Sequence, residues 1–301
     1  MRVETLPQAA GARRGAPSWT AAGVTLPTAH GRHLVALDID GTLLHHDGTL
    51  SPVVADAVTA ARAAGHEIVI ATGRSLVAAR PVAESLGMTE GYVVASNGAV
   101  LAELDPAAPD GARVLRTHTF DPAPALAVLR DSWPDARVAV EEVGLGFKVS
   151  AEFDPGELDG TVRVVDWAEL VAGPATRVTF RSPSGTAQDF LDLVERVGLT
   201  GVNYAVGFTA WLDIAGEGVS KASGLERVRR WERIPRRRTV AVGDQRNDCE
   251  MLAWAACGVA MGNAPDEVKA VAKLVTGHVL ADGVADVLRA LPPACSGSCC
   301  A

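Results

Sequence analysis

The stretch Leu34–Leu43, LVALDIDGTL, decides the fold. Its first four residues are an unbroken apolar run, the pattern of a strand buried on both faces of a parallel sheet. Two carboxylates follow at once, Asp38 and Asp40, and then Gly41, which lets a chain turn sharply as it leaves a strand. In open α/β sheets, ligands bind in the crevice beyond the carboxyl ends of the strands. Two anions one residue apart in such a place repel unless a cation sits between them, so the spacing calls for a metal or a perturbed acidity. An Asp-Gly pair also marks ordinary turns, but a turn alone does not explain two carboxylates directly after a buried strand.

Outward from that stretch the pattern repeats. Ser51-Pro52 reads as the N-cap and first residue of a helix that Gly65 stops. Glu67–Ala71 is a second buried strand, running into Thr72-Gly73-Arg74. A helix over about 76–86 ends at Gly87, and Tyr92–Ala95 is a third strand before Ser96-Asn97-Gly98. Strand and helix in alternation predict an α/β fold, a Rossmann-like doubly wound parallel sheet with right-handed crossovers. After Gly98 the texture changes. Short alternating runs such as ARVAVEEV and TRVTFRS, with helix candidates near 122–132 and 186–197, predict an inserted α+β unit with an antiparallel sheet. The parallel pattern resumes with a helix from Ser220 to about Trp231 and a strand over Thr239–Val242. A helix near 247–256, a strand near 258–261, a helix near 265–272, a strand at 273–276 and a last helix from Gly283 complete it. The expected division is an N-terminal tail (1–32), a core (33–100 plus 206–292), an inserted cap (101–205) and a C-terminal tail (293–301).

A second group of polar residues leaves a predicted strand at Gly243-Asp244-Gln245-Arg246-Asn247-Asp248. Asp244, Asp248 and Asn247 offer hard oxygen atoms, which select Mg²⁺ or Ca²⁺ over Zn²⁺. Asn247 or Asp248 could at the same time cap the following helix. Thr72, after the second strand, and Lys221, at a helix start, supply a hydroxyl and an ammonium suited to a phosphate held against a divalent cation. Alone, the one would be a turn residue and the other a solvated surface lysine. Their order relative to the carboxylate pairs gives them weight.

With DIDGTL at Asp38, ATGR at Ala71, SKASGL at Ser220 and GDQRND at Gly243, the chain resembles the haloacid dehalogenase superfamily of phosphohydrolases. More narrowly it resembles the Cof-type branch, whose α/β cap lies between the second and third of these motifs. SNGA at Ser96, MGNA at Met261 and ADGVA at Ala281 add to the match, which runs from about Leu34 to Leu291; the cap matches in texture and position only. The resemblance implies that Asp38 is a nucleophile that becomes an aspartyl phosphate and that Asp40 protonates the leaving group and then activates water. It implies that Thr72 and Lys221 hold the phosphoryl oxygens. Mg²⁺ would be held by Asp38, the backbone carbonyl of Asp40 and Asp244, with Asp248 ligating through water or orienting Lys221. Gly73, Asn97 and Asn247 are further phosphate or substrate contacts on this view, Arg74 either reaches the substrate or braces the loop, and Asn97 and Asn263 line the rim. Two positions depart from the usual pattern: Ala222 follows the lysine where glycine is common, and Gln245-Arg246 stand where smaller or acidic residues are common. Arg246 either contacts a substrate anion or points to solvent.

A cap that closes over such a site excludes water and grips the leaving group. Glu141, Glu142, Lys148, Arg177, Arg181 and Trp211 are candidates, none singled out by spacing, and Trp211 and Phe208 also suit a core or an interdomain seam. The favoured activity is a Mg²⁺-dependent phosphatase acting on a small phosphomonoester, sugar phosphates first. A dedicated sugar-phosphate phosphatase of the sucrose, trehalose or mannosylglycerate type, or a phosphomutase, shares the same motifs. A non-catalytic metabolite-binding relative has no need of a nucleophile and a separate acid.

Composition excludes other classes. Of 301 residues, 48% are hydrophobic and 21% charged, which supports a packed core and excludes wholesale disorder. A formal net charge of -8 argues against a nucleic-acid partner. The longest late apolar stretch, Met251–Gly262, is too short to span a bilayer, which speaks against a membrane partner and excludes an ion pump using the same aspartyl chemistry. The N-terminus lacks the apolar core of a secretory signal. Five cysteines, three of them in the last seven residues, are not a disulfide framework, so a reducing cytoplasm is expected and the C-terminal CSGSCC reads as a frayed tail rather than a metal clip. A monomer and a homodimer both remain open.

Overall fold

The structure is a computed structural model describing residues 26, 31–182, 186, 188, 189, 192, 202–206, 211–292 and 294. Most of the expected N-terminal tail and of the expected helix at 186–197 lies outside the described residues, as do Phe208 and Cys295, Cys299 and Cys300. Arg32, the last residue of that expected tail, is tied to the core by ion pairs to Glu67 and Glu232.

In chain order the described strands are β1 (Leu34–Leu37), β2 (Glu67–Ala71), β3 (Gly91–Ala95), β4 (Val100–Leu104), β5 (Ala112–Thr117), β6 (Arg137–Glu142), β7 (Gly146–Val149), β8 (Thr161–Val164), β9 (Val178–Arg181), β10 (Val202–Val206), β11 (Trp211–Gly216), β12 (Thr239–Gly243), β13 (Cys257–Ala260) and β14 (Leu274–Val275). They form an eight-stranded sheet in the order β14-β13-β12-β1-β2-β3-β4-β5 and a six-stranded sheet in the order β10-β11-β9-β6-β7-β8.

All four residues of β1 are buried, because helices cover both faces of its sheet. Val35, Leu37, Ile68, Ile70, Val240 and Val242 pack on one side with the helices Pro52–Ala63, Leu76–Ser85 and Gly283–Arg289. Leu34, Ala36, Val69, Ala71 and Ala241 pack on the other with Lys221–Trp231, Cys249–Trp254 and Asp266–Val271. The period-two alternation of a strand, apolar on both sides, thus gives the doubly wound layers. Helix boundaries follow local chemistry. Ser51 caps Pro52–Ala63 by accepting from the Val53 amide, and Gly65 ends it at φ +89°.

Register places the site. β1 pairs in parallel with β12, Leu37 opposite Val242, and with β2, Leu37 opposite Ile70. Asp38, Asp244 and Thr72 therefore leave the sheet together at its carboxyl edge.

The sheets also correct the expected boundaries. β4 and β5 run antiparallel on the β3 edge of the eight-stranded sheet, although residues after 100 were expected in the cap. β11, expected in the core from 206, pairs with β9 and β10 in the six-stranded sheet. The reason is that an antiparallel hairpin on a half-covered sheet edge alternates in the same way as the strands of a cap, so texture alone does not reveal which sheet it joins. Within the six-stranded sheet only β7 and β8 run parallel. Val138, Val140, Val178, Phe180, Leu212 and Ile214 point to one face, under Leu126 and Leu129 of the helix Ala123–Ser132. Alternation sends Glu141, Arg177, Thr179, Trp211 and Asp213 to the opposite face. Among the described residues no helix is long and apolar enough to cross a membrane.

Candidate active site

Lys221 opens the helix Lys221–Trp231, whose N-cap Ser220 forms a reciprocal capping box with Ser223. The loop after β3 passes so close to this cap that a Cβ on Gly98, at φ +100°, would lie 2.1 Å from the Ser220 carbonyl oxygen. That approach delivers the lysine to the strand ends. Its Nζ donates to Asp38 Oδ1 at 2.7 Å and to Asp248 Oδ1 at 2.6 Å, with the Lys221 side chain only 1% exposed. Asp248 Oδ2 accepts from the amides of Asp244 and Gln245, both at 2.9 Å, and so fixes the turn after β12. Asp244 accepts from Asn263 at 3.0 Å and from the Thr42 hydroxyl at 3.4 Å. Asn263 also donates to the Gly41 carbonyl and accepts from the Val279 amide, so it ties three loops to one carboxylate. Gly41, at φ +79°, has no room for a side chain: a Cβ there would meet Asp244 Oδ2 at 2.3 Å.

Asp38, Asp244 and Asp248 each present an oxygen within 4.8 Å of the others, and all three are buried. Burial, reinforced by the Asp248 charge, pushes Asp38 well above the ordinary carboxylate range and Asp244 up to about 7. Burial alone would lower the Lys221 ammonium, but Asp248 and Asp38 beside it outweigh burial and raise it. One lysine against three buried carboxylates leaves negative charge that a divalent cation would neutralise. The donors are all hard oxygens, so the residues fit Mg²⁺ or another hard divalent ion and do not resemble a zinc site. The carboxylate of Asp40 is not part of this cluster. Arg74 forks onto it instead, Nε to Oδ2 at 2.9 Å and a terminal nitrogen to Oδ1. The cause is the bidentate match of guanidinium to carboxylate, and the reading of Asp40 as a metal ligand concerns its backbone carbonyl only.

Thr72 is buried, and its hydroxyl accepts from the Arg74 amide at 3.0 Å. Two left-handed residues, Ser96 (φ +50°) and Asn97 (φ +53°), fold the loop after β3 against it; the Ser96 amide donates to the Arg74 carbonyl and the Asn97 amide to the Thr72 carbonyl. Asn247 Nδ2 donates to Asn97 Oδ1 at 2.9 Å, so these two amides brace each other across the two loops, and Gly73 lies against both. Arg246, whose role was left open, pairs with Glu267.

A cavity of about 420 Å³ opens between these loops and the polar face of the six-stranded sheet. Asp38, Asp40, Arg74 and Asn247 line it from the core, with Arg177, Trp211 and Asp213 from the opposite side. Two side chains tie the sides together: Arg177 donates to the Gly73 carbonyl, and the Ser96 hydroxyl donates to the buried Glu141 at 2.8 Å. Of the six cap candidates, Glu141, Arg177 and Trp211 reach this region, and Arg181 acts on it through Glu157 at 2.9 Å. Glu142 and Lys148 turn away, to Arg163 and to the Glu169 carbonyl. Sequence reasoning did not single out Phe147, Glu157, Asp159 or Asp213, which also line the cavity. For Asp213 a signal existed: a carboxylate two residues after Trp211, in the otherwise apolar strand WLDIA, shares its face.

A family model described as haloacid dehalogenase-like hydrolase matches residues 35–125 and 177–288. The chain belongs to this family. Its solved and curated relatives place it with the Cof-type members and make it a phosphoric monoester hydrolase. It is 29% identical to the 5-amino-6-(5-phospho-D-ribitylamino)uracil phosphatase YitU of Bacillus subtilis, over 85% of this chain and 96% of the relative. It is 31% identical to the pyridoxal phosphate phosphatase YbhA of Escherichia coli, over 85% of this chain and 97% of that one. Among solved structures, a haloalkanoate-superfamily phosphatase from Bacteroides thetaiotaomicron superposes with a TM-score of 0.72 at 27% identity, covering 89% of this chain and 98% of its own. The haloacid dehalogenase-like fold thus accounts for both sheets.

Proposed function

We propose that the protein is a Mg²⁺-dependent phosphatase that hydrolyses a small phosphomonoester through an aspartyl phosphate on Asp38, with sugar phosphates the favoured class. The six-stranded unit is its cap. The observation that carries this reading is the buried constellation of Asp38, Lys221, Asp248 and Asp244 at the carboxyl edge of one sheet, facing a cavity beside Asp40. A carboxylate kept dry and held by one lysine is a poor surface group and a well-placed nucleophile.

In the first step an Asp38 oxygen attacks phosphorus and the bond from phosphorus to the ester oxygen breaks, the leaving alkoxide taking a proton from Asp40. In the second, water attacks phosphorus, Asp40 accepts its proton, and the Asp38–phosphorus bond breaks to release phosphate. Lys221 and the Thr72 hydroxyl stabilise the negative charge on the transferring oxygens. A divalent cation held by Asp38, Asp244, the Asp40 carbonyl and, directly or through water, Asp248 would supply further charge neutralisation at the phosphoryl group. Arg74 now occupies both Asp40 oxygens. For Asp40 to act as an acid the guanidinium must let go, and an incoming phosphate dianion is the natural competitor for it.

The two curated relatives, acting on a ribitylamino-uracil phosphate and on pyridoxal phosphate, support a compact leaving group bearing hydroxyls. Free thiols at Cys249 and Cys257 support a reducing cytoplasm, where the enzyme would work as a monomer or homodimer. The test is phosphate release from a panel of phosphomonoesters, with Mg²⁺ and with EDTA, for the native protein and Asp38→Asn. Metal-dependent release lost in the variant is the expected result. No release from any ester by folded, Mg²⁺-loaded protein would overturn the reading.

A further inference from the structure

The cap side of the cavity is built from acceptors. Glu157, Asp159 and Asp213 face it with only carboxylate oxygens to offer, beside the apolar surfaces of Phe147 and Trp211. Among the described residues the one cap cation in the lining is Arg177, and two carboxylates flank it. Its side chain is 9% exposed, donates to the Gly73 carbonyl, lies 4.0 Å from both Glu141 and Asp213 and stacks over the Phe147 ring at 5.2 Å, while its Nε is buried without a hydrogen-bond partner. Arg181 is turned to Glu157, and Arg74 to Asp40. Asp159 is exposed and makes no hydrogen bond or close ion pair among the described residues, its charge acting only at longer range on Arg74. Among the described residues, every cation in or beside the lining already faces a carboxylate.

We infer that this cap wall selects phosphomonoesters whose leaving group carries no second negative charge and presents hydroxyl or amino donors, and that it rejects leaving groups bearing a carboxylate or a second phosphate. This rests on the phosphatase reading above and sharpens it. A donor-rich leaving group satisfies Asp159 and the outer lone pairs of Glu157 and Asp213 while its carbon faces lie on Phe147 and Trp211. A leaving group with a carboxylate in the same place meets acceptor against acceptor, and like charges repel.

The experiment compares esters matched in size. Glycerol 3-phosphate is set against 3-phosphoglycerate and glucose 6-phosphate against 6-phosphogluconate, using Mg²⁺-loaded native protein and the double variant Glu157→Gln/Asp159→Asn. Native kcat/KM is expected to favour the neutral member of each pair by at least tenfold, about 1.4 kcal/mol in transition-state binding. The ratio should shrink several-fold in the double variant, and also in the native protein at high salt, where the wall is screened. Glu157→Gln keeps an oxygen for Arg181, so a folded variant is expected, and the salt series tests the charge effect without any substitution. Equal or faster turnover of the carboxylated esters, or a ratio unmoved by both salt and variant, overturns the inference while leaving the phosphatase reading standing. No turnover of any ester overturns both.

Discussion

In the core, Lys221 bridges Asp38 and Asp248 at 2.7 and 2.6 Å with 1% of its side chain exposed; in the cap, Arg163 bridges Glu142 and Glu169 at 3.4 and 3.2 Å with 48% exposed. Each cation holds two carboxylates, yet the physics differs. Breaking a buried pair strands an uncompensated charge and costs about 3–5 kcal/mol, whereas an exposed pair is worth about 0–1 kcal/mol. The groups proposed to make and break bonds are thus locked by interactions that cannot be changed one at a time. The outer cap carries interactions that can be altered singly at little cost, as a region tuned to a leaving group requires.

The sharpest way to break this comparison is Asp38→Asn. The swap is nearly isosteric and keeps an acceptor for Lys221, so circular dichroism should be unchanged while turnover falls by about 10³-fold or more. Turnover within tenfold of native would mean that the buried cluster is structural rather than reactive. Next in size, Lys221→Ala should lower urea-measured stability in EDTA by about 3–5 kcal/mol and Arg163→Ala by less than about 1 kcal/mol. Saturating Mg²⁺ should recover part of the Lys221→Ala loss, because a cation among the three carboxylates takes over the neutralising role. Equal losses for the two variants would abolish the distinction.

Two glycines sharpen the same contrast at one backbone angle. Gly41 in the core and Gly144 in the cap both sit at φ +79°, but a Cβ on Gly41 would strike Asp244 while one on Gly144 meets nothing within 4 Å. Gly144→Ala should therefore cost only the left-handed penalty of about 1–2 kcal/mol with activity intact. Gly41→Ala should pay that penalty and also displace Asp244, with kcat reduced about tenfold or more. Thermal melts and phosphate release read both.

The same division explains what could be seen from residues alone. Asp38, Thr72, Lys221 and Asp244 were legible because each directly follows a buried apolar run or a helix cap, where local pattern fixes position to within a residue. The β4–β5 hairpin and β11 were assigned to the wrong side because alternation reports a half-covered strand, not the sheet it joins. The Arg74–Asp40 fork and the Asn97–Asn247 brace join residues 34 and 150 positions apart, and no local pattern announces such a pair. The acidic wall escaped notice because Glu157 and Asp159 lie in a loop, where a carboxylate is ordinarily just solvated surface.

The smallest expected effect shows that the contrast is one of burial and hydrogen bonding rather than of domain. Glu226 belongs to the core, yet it is 27% exposed and far from the carboxylate cluster in role. It accepts from Arg229 at 2.8 and 2.7 Å, from Arg230 at 2.8 Å and from the Trp254 indole at 3.0 Å. Hydrogen bonds from Arg229, partly opposed by burial and aided by Trp254 and Arg230, lower its pKa from 4.5 to about 2. The folded value lies below the unfolded one, so the contribution is fully present above about pH 4.5 and is lost as pH falls toward 2. Glu226→Gln should thus cost about 1 kcal/mol near neutrality, and urea midpoints of native and variant should converge by about half between pH 5 and pH 3. A gap that stays constant over that range would place the contribution in packing against Trp254 rather than in the charge, and would return Glu226 to the class of exposed pairs that the cap exemplifies.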